Sequence, residues 1–332
     1  MFRSVPFLSA DTIVNKAFSR GAKISVKGRG LRAIQKRESE KVIRAASVIV
    51  GSLYKVLDRF PDIDRLDDFN WAMVDTLVGV GVVYDHLATF RRTITAIERV
   101  RETSLKKIKK TAREENIIRF RKDAYGKYAS LMRSLSPTIG EFNDILARLN
   151  EIPPVSSSDY TVVIAGYPNV GKSSLLSSLT ESHPVIASYP FTTTGINIGT
   201  MDIKYQRVYV IDTPGILDRP LAKRNTIERK AISAIRHLAN ILIFVIDGSR
   251  DSAYTPDEQW NLLADIRSNL GDMPCIVIQN KIDLEHEQLD ADYHVSAADP
   301  SNMEEFKASL VERIRTDPSF EDMRRFRVES GA

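Results

Sequence analysis

Cysteine and long apolar runs are nearly absent from this 332-residue chain. The single thiol, Cys275, excludes a disulfide framework within the chain and a cysteine-based metal site. The longest apolar stretch, Thr76 to Tyr84, is about half of the roughly 18 to 20 residues that span a bilayer. The N-terminus also lacks the basic start and long apolar core of a signal peptide. We therefore expect a cytoplasmic protein without membrane contact.

The net charge of +4 hides an uneven distribution of charge. Residues 1–150 carry 29 Lys and Arg against 17 Asp and Glu, whereas the other 182 residues carry 18 against 26. Such a division predicts two modules, the first with an anionic partner. The alternative is a solvated helical face, because net charge reports non-specific attraction and does not define a site.

The periodicity of apolar residues changes near residue 150. From about Lys36, apolar residues recur at spacings of three and four, which predicts long amphipathic helices. We expect breaks near Pro61, Gly79 to Gly81 and Pro137. Residues 151–159 are polar and rich in Pro and Ser, which predicts a linker. The first 150 residues are thus predicted to form an all-α helical-bundle domain.

After the linker, short runs rich in Val and Ile alternate with helical patterns. The runs are Thr161–Ala165, Val208–Ile211, Ile241–Ile246 and Cys275–Ile278, and the helical patterns lie at 171–180, 223–239, 256–269 and 301–315. This alternation predicts an α/β domain at 160–318, with a mostly parallel sheet and helices on both faces. A short tail is predicted at 319–332. Ligands on such sheets bind at the carboxyl ends of the strands.

A phosphate-binding loop follows the first predicted strand. The sequence GYPNVGKS matches GxxxxGK[ST] and opens a predicted helix. Glycines let successive N–H groups wrap a phosphate, a lysine places positive charge on the β and γ oxygens, and a serine hydroxyl supplies a ligand to Mg²⁺. The predicted contacts are Gly166, Tyr167, Pro168, Asn169, Val170, Gly171, Lys172, Ser173 and Ser174.

The second strand of this series ends in the sequence DTPG. Asp212 closes the buried run and is placed to hold Mg²⁺ through water. The N–H of Gly215 can donate to the γ-phosphate. Alone this tetrapeptide is only a turn, but its position after the phosphate loop favours the nucleotide role.

Two later motifs indicate guanine. In Asn280-Lys281-Ile282-Asp283, the Asp283 carboxylate can accept from the ring N1–H and the exocyclic amine, and Asn280 can reach the other edge of the base. Adenine presents the opposite pattern, and a mismatch leaves buried polar groups unpaired. The triplet Ser296, Ala297 and Ala298 can supply a backbone N–H from Ala297 to guanine O6. The four motifs in order predict GTP and GDP as ligands.

Three adjacent threonines lie between the phosphate loop and Asp212. One of them is expected to add a hydroxyl to Mg²⁺ and a backbone contact to the γ-phosphate, which would order its loop only with GTP. We favour Thr193, followed by Thr192, over Thr194. The alternative is that these residues simply begin a strand.

These motifs resemble the Obg–Nog group of translation-factor-related GTPases. The phrases GYPNVGKSS, YPFTT, DTPGILDRPL and RNTIERKAISAIRHL are most similar to the nucleolar GTP-binding protein 1 (Nog) family, and DTIVNKAFSR near the N-terminus also fits it. The resemblance covers nearly the whole chain and is most specific over 160–240. It implies a role in assembly of the large ribosomal subunit, with the helical domain contacting ribosomal RNA. The length resembles the short archaeal form, and a nucleolar location would follow only for a eukaryotic source.

The expected hydrolysis reaction is slow. Where Ras-like enzymes orient the attacking water with a glutamine after the DxxG glycine, this chain has Ile216, which cannot form a hydrogen bond through its side chain. In some related GTPases an asparagine of the phosphate loop binds K⁺, and Asn169 occupies that place. The alternative is that Asn169 only stabilises the loop. The expected catalytic residues are Lys172, Thr193, Gly215 and Asn169.

The basic excess is concentrated between Arg91 and Lys122. On one helix, Lys106, Lys109, Lys110 and Arg113 would share a face and could follow an RNA backbone without reading sequence. With the resemblance, the expected partners are ribosomal RNA and large-subunit precursor particles, bound by a monomer. The alternative is a GTPase switch that regulates a protein partner or an RNA-modifying enzyme away from the ribosome.

Overall fold

A computed structural model describes residues 1–181, 184–187, 189, 195–215, 217–220, 224, 226–271 and 273–323. Its helices are α1 (Ala10–Ala22), α2 (Leu31–Arg59), α3 (Asp68–Leu77), α4 (Val80–Lys110), α5 (Glu114–Leu149), α6 (Lys172–Leu179), α7 (Thr226–Leu238), α8 (Pro256–Leu270) and α9 (Pro300–Thr316). Its strands are β1 (Tyr160–Ala165), β2 (Val185–Ala187), β3 (Ile196–Ile203), β4 (Gln206–Asp212), β5 (Ile241–Asp247), β6 (Cys275–Asn280) and β7 (Tyr293–His294).

The chain forms two compact units, and the division differs from the predicted one. Residues 1–63 and 78–150 form the first unit, and residues 64–77 and 151–332 form the second. Helix α3 therefore belongs with the α/β fold. The first unit then carries 28 Lys and Arg against 13 Asp and Glu, and the second carries 19 against 30. The charge asymmetry is sharper than the sequence division at residue 150 suggested.

Residues 151–159, predicted as a linker, are fastened to α3. Asp67 accepts hydrogen bonds from the backbone N–H and the hydroxyl of Ser157, at 3.1 and 3.2 Å. The Asn70 amide donates to the Val155 carbonyl at 3.3 Å, and Val155 is buried. A Pro/Ser-rich composition predicted irregular backbone, but the buried apolar side chains fix this segment in the second unit.

The first unit is held by aromatic packing between its helices. Phe142 of α5 meets Phe90 of α4 edge-on at 5.0 Å and Phe60, which follows α2, at 5.8 Å. Phe18 of α1 stacks on Tyr125 of α5 at 4.4 Å. Such aromatic pairs add to the free energy gained by burying their area. The predicted helical domain is thus an all-α bundle.

Two predicted features of the long helices are wrong. Pro137 lies inside α5 and does not end it. An interior proline costs about 3 kcal/mol, but the buried Met132, Leu135, Ile139 and Phe142 of the same helix offset that cost through packing. Conversely, α4 stops at Lys110, within a region predicted to be one helix.

The end of α4 is capped by a side chain of another helix. The Gln35 side chain of α2 donates to the carbonyl of Ile108 at 3.2 Å and to that of Thr111 at 3.0 Å. These bonds satisfy carbonyl groups that a helix C-terminus leaves without an intrahelical partner. Thr111 is extended, and Arg113 is the residue that precedes α5. Arg113 is therefore not on the same helix as Lys106, Lys109 and Lys110.

The second unit is a seven-stranded sheet of order β2-β3-β4-β1-β5-β6-β7. The pairs β4–β1, β1–β5, β5–β6 and β6–β7 are parallel, while β2–β3 and β3–β4 are antiparallel. Every residue of β1 and β5 is buried, as expected for central strands covered on both faces. This confirms the predicted fold class, a phosphate-loop GTPase fold preceded by an all-α bundle.

The packing of the sheet extends beyond the predicted end of the domain at residue 318. Phe320 is fully buried and meets Tyr160 of β1 edge-on at 5.4 Å. The Tyr160 hydroxyl donates to Asp317 at 2.5 Å, and burial together with this carboxylate raises the pKa of Tyr160. The first part of the predicted tail is thus packed, and residues 324–332 lie outside the described residues.

Candidate nucleotide-binding site

The phosphate loop joins β1 to α6 with backbone that favours glycine. Gly166 has φ of 140° and Gly171 has φ of 96°, both in the left-handed region. A Cβ at Gly166 would collide with the Val245 carbonyl of β5, and one at Gly171 would collide with the Asn280 amide of β6. The two glycines therefore allow the loop to pack against the ends of two other strands.

Lys172 lies under this loop at the first residue of α6. Its ammonium donates to the carbonyls of Gly166 at 3.0 Å and Tyr167 at 2.8 Å, and the side chain is buried. Burial lowers the pKa of Lys172, while the carboxylates of Asp212 and Asp218 act in the opposite direction. The lysine is thus held at the loop in a position to contact an anion.

Ser173, the second residue of α6, meets Asp212, the last residue of β4. The Ser173 hydroxyl donates to Asp212 Oδ2 at 2.6 Å, and the Asn197 amide of β3 donates to the same oxygen at 3.1 Å. Asp212 is fully buried, and within the described part of the chain no hydrogen-bond donor reaches its Oδ1. Hydroxyl and carboxylate oxygens are the ligands that Mg²⁺ prefers, so this donor set fits that ion.

The Gly215 N–H, predicted to contact the γ-phosphate, is bonded to Asp218 at 2.8 Å. Arg224 reinforces this arrangement, because it donates to the Gly215 carbonyl at 2.9 Å and to Asp218 at 3.3 Å. The Arg224 side chain is only 2% exposed. The Asp218 carboxylate thus accepts the hydrogen bond from the Gly215 N–H that the sequence assigns to the γ-phosphate. Sequence reasoning missed this role of Asp218, because only the folded backbone brings it to Gly215.

The motifs predicted to bind guanine converge on the phosphate loop. Asn280 is buried, donates to the Val170 carbonyl at 2.9 Å and accepts from the Ala297 N–H at 2.9 Å. Ser296 donates to the exposed Asp283 at 2.5 Å. The strand end and the later triplet are therefore linked directly to each other by hydrogen bonds. The Ala297 N–H, predicted to contact guanine O6, donates to the Asn280 side chain.

Lys281 is held by a residue that sequence reasoning missed. Its ammonium pairs with Asp247, at the end of β5, at 2.6 Å. Asp247 is buried and also accepts from the Ser249 N–H at 2.9 Å. The sequence does indicate Asp247, because this carboxylate follows the apolar run Ile241–Ile246 just as Asp212 closes the strand before the DTPG turn.

The remaining predicted residues fall into three groups. Pro168, Asn169, Ser174 and Ala298 are exposed, and Tyr167 is buried with its ring stacked at 3.9 Å on Tyr254. Lys106, Lys109 and Lys110 are exposed on the last turns of α4, and Arg113 is exposed before α5. Thr192, Thr193, Thr194 and Ile216 lie outside the described residues.

None of the described helices is long and apolar enough to cross a membrane.

Family comparisons agree with this geometry. The model of the NOG1 N-terminal helical domain matches residues 6–156, and that of the 50S ribosome-binding GTPase matches residues 161–281. The uncharacterised protein MJ1408 of Methanocaldococcus jannaschii is 37% identical over 86% of this chain and 82% of its own length. The chain belongs to the NOG1 family of GTPases. It is therefore a GTP-binding protein with the helical and GTPase modules of that family.

Other NOG1 proteins are longer. Nucleolar GTP-binding protein 1 of Saccharomyces cerevisiae is 27% identical over 94% of this chain, which spans 46% of the yeast protein. A crystal structure of nucleolar GTP-binding protein 1 from Plasmodium falciparum is 25% identical, with a TM-score of 0.42 over 55% of this chain and 100% of that one. The chain thus spans about half the length of the yeast NOG1 protein.

Proposed function

We propose that this NOG1 protein hydrolyses GTP to GDP and phosphate and acts as a switch in assembly of the large ribosomal subunit. The observation that carries the proposal is the convergence of the phosphate loop, Asp212 and Asn280 at one edge of the sheet. The name of the matching GTPase family, 50S ribosome-binding, supports the choice of particle. The positive balance of the helical unit supports an RNA partner.

The proposed chemistry depends on positioning and charge rather than on a covalent intermediate. The loop N–H groups and Lys172 would hold the β and γ phosphates. Ser173 and Asp212, with Thr193, would hold Mg²⁺, which neutralises phosphate charge when bound. The role of Thr193 as a ligand to Mg²⁺ is inferred from its position in the sequence, because it lies outside the described residues. Because Ile216 follows Gly215, we expect slow hydrolysis by the isolated protein.

Asn169 is the proposed ligand for K⁺. Its side chain is exposed and its φ is 66°, so the backbone turns sharply at this residue. We expect the hydrolysis rate to be higher in KCl than in NaCl of equal concentration, and Asn169→Ala to remove the difference. Equal rates in the two salts would leave Asn169 a purely structural residue of the loop.

The guanine assignment is tested by Asp283→Asn. The carboxylate would accept from the guanine N1–H and amine, whereas an amide also presents donors, which suit the second carbonyl of xanthine. We expect the affinity for GTP to fall by roughly a hundredfold and that for XTP to rise, as measured by titration with labelled nucleotides. Glu287→Gln, an exposed change on the neighbouring segment, is the matched control. Unchanged preference for GTP would contradict the proposed base site.

A further inference from the structure

The helical unit contains a groove separate from the nucleotide site. It runs between α4 and α5, has a volume of about 590 Å³, and Lys106, Lys109 and Lys110 are not among the residues that line it. The groove is open because the facing positions of the two helices are small, with Ser104 on α4 and Gly126 on α5. A volume of this order accommodates a small ligand or one to two units of a polymer.

Four cations line this groove. They are Arg99 and Lys107 of α4 and Lys122 and Lys127 of α5, against one acid, Asp123. Among the described residues, no carboxylate lies within ion-pair distance of any of the four. By contrast, Lys41 and Arg121 of the same unit pair with Glu38 at 2.8 and 3.0 Å. The cations of the groove are therefore available to an anionic ligand.

The groove also contains an aromatic ring. Phe120 of α5 is half-buried, with Lys107 Nζ at 5.7 Å and the Arg119 guanidinium carbon at 5.5 Å from the ring centre. Proteins bind single-stranded nucleic acid by combining a basic groove with aromatic rings on which bases stack. The carboxylates of an acidic peptide would pair with the cations but would not stack on the ring. The combination therefore favours a nucleic-acid strand.

We propose that the α4–α5 groove binds an unpaired RNA strand, with its phosphates on Arg99, Lys107, Lys122 and Lys127 and one base near Phe120. The inference rests on the proposed RNA-binding function of the helical unit, and it places the site in this groove. It assigns the main phosphate contacts to residues other than Lys106, Lys109, Lys110 and Arg113.

Filling the groove without changing its charge gives the sharpest test. A Cβ at Gly126 would meet no atom within 4 Å, and the same holds for Gly140, which lies on α5 outside the groove. Both Gly126→Leu and Gly140→Leu replace a helical glycine, so both should unfold at a slightly higher temperature than the wild type. Only Gly126→Leu places a side chain where the strand would lie.

The probe is a fluorescent single-stranded RNA of about 12 nucleotides, within the range of strand-binding sites. For the full chain we expect Gly126→Leu to weaken binding roughly tenfold and Gly140→Leu to leave it unchanged. The double variant Lys107→Ala/Lys127→Ala should reduce the slope of log affinity against log salt by about 1.4, from about 0.7 per phosphate contact. Lys16→Ala/Lys55→Ala, at exposed lysines of α1 and α2, should reduce it less.

The outcomes separate this inference from the proposed function. Wild-type affinity for Gly126→Leu, with binding lost instead in Lys106→Ala/Lys109→Ala/Lys110→Ala, would overturn the groove and keep RNA binding. Equal affinity for a duplex, or tighter binding of polyglutamate than of RNA, would overturn the single-strand assignment. A wild-type protein that binds neither this RNA nor large-subunit particles would overturn the proposed function itself.

Discussion

At the residue scale, the nucleotide site depends on glycines that have no room for a side chain. Gly166→Ala would place a methyl group against the Val245 carbonyl at a φ of 140°. We expect a loss of about 2 to 4 kcal/mol in the free energy of unfolding and loss of GTP binding. Urea unfolding checks the first effect and nucleotide titration the second.

The control is a glycine in open space. Gly51 lies within α2, and a Cβ there would meet no atom within 4 Å. Gly51→Ala should therefore keep or raise the stability by about 0.5 to 1 kcal/mol. If the two alanine variants are equally stable, the close packing of the phosphate loop against β5 is wrong.

The contact between Asp218 and Gly215 should act against GTP. A γ-phosphate that accepts from the Gly215 N–H must displace the Asp218 carboxylate, whereas GDP carries no such group. We expect Asp218→Ala to raise the affinity for a non-hydrolysable GTP analogue relative to GDP by roughly threefold to tenfold. Isothermal titration with both nucleotides measures the ratio.

An exposed acid that does not contact Gly215 provides the control for this change. Asp202→Ala, on the β3–β4 hairpin, should leave the ratio unchanged. A ratio that stays the same or falls in Asp218→Ala would show that Asp218 supports the GTP-bound arrangement and does not compete with it.

Predicting residue roles from the sequence succeeded where a role depends on a local motif. The phosphate loop, Asp212 and Asn280 are recognisable because chemistry and backbone conformation restrict the residue types within a few positions. Asp218, Asp247 and Asn197 were missed, because their partners are brought to them by other strands or by a turn. No local pattern distinguishes Asp218 and Asn197 from ordinary polar residues, whereas Asp247 stands at the end of an apolar run, as Asp212 does.

At the scale of elements, Glu38 joins α2 to α5. It is buried and accepts from Arg37 at 2.9 Å, Lys41 at 2.8 Å and, from α5, Arg121 at 3.0 Å. Burial acts to raise the pKa of Glu38, but these hydrogen bonds outweigh it, and the pKa lies below its usual range. The carboxylate is thus more stable in the folded than in the unfolded chain.

The pH dependence follows from that direction. Because the folded pKa is lowered, the contribution of Glu38 is complete above its unfolded pKa of about 4.3 and is lost as the pH falls through the folded value. We expect Glu38→Gln to lower the free energy of unfolding by about 2 to 3 kcal/mol at pH 7. The loss is smaller than that for breaking a fully buried ion pair, because the partners of Glu38 are partly exposed.

The free energy of unfolding of the wild type and of Glu38→Gln would be measured by chemical unfolding from pH 7 down to pH 3. Glu40→Gln, at an exposed position of α2, is the control. The difference between wild type and Glu38→Gln should shrink on acidification. A difference that stays constant with pH would mean that the stabilisation does not depend on the carboxylate charge.

Elements were predicted well where burial imposes a simple pattern. The parallel strands β1, β4, β5 and β6 appear as continuous runs of β-branched residues because both faces of the sheet are covered. The antiparallel β2 and β3 were missed, since β2 has only three residues and β3 mixes buried and half-buried positions. The end of α4 was missed because it depends on Gln35, a residue distant in the sequence.

At the scale of the whole molecule, charge and fold divide the chain together. The helical unit carries the positive balance and the GTPase unit the negative one. The sequence predicted this division but placed α3 in the wrong unit, because a short amphipathic helix does not reveal which core it joins. Only its contacts with residues such as Val155 and Ser157 decide the assignment.

The proposed nucleotide-controlled binding to the large ribosomal subunit is best measured by co-sedimentation of the full chain with purified large-subunit particles. The binding would be measured with a GTP analogue and with GDP, at low and moderate salt. We predict that the protein sediments with the particles, more strongly with the GTP analogue than with GDP, and less as salt increases. Sedimentation apart from the particles in both nucleotide states would contradict a role in assembly of the large subunit.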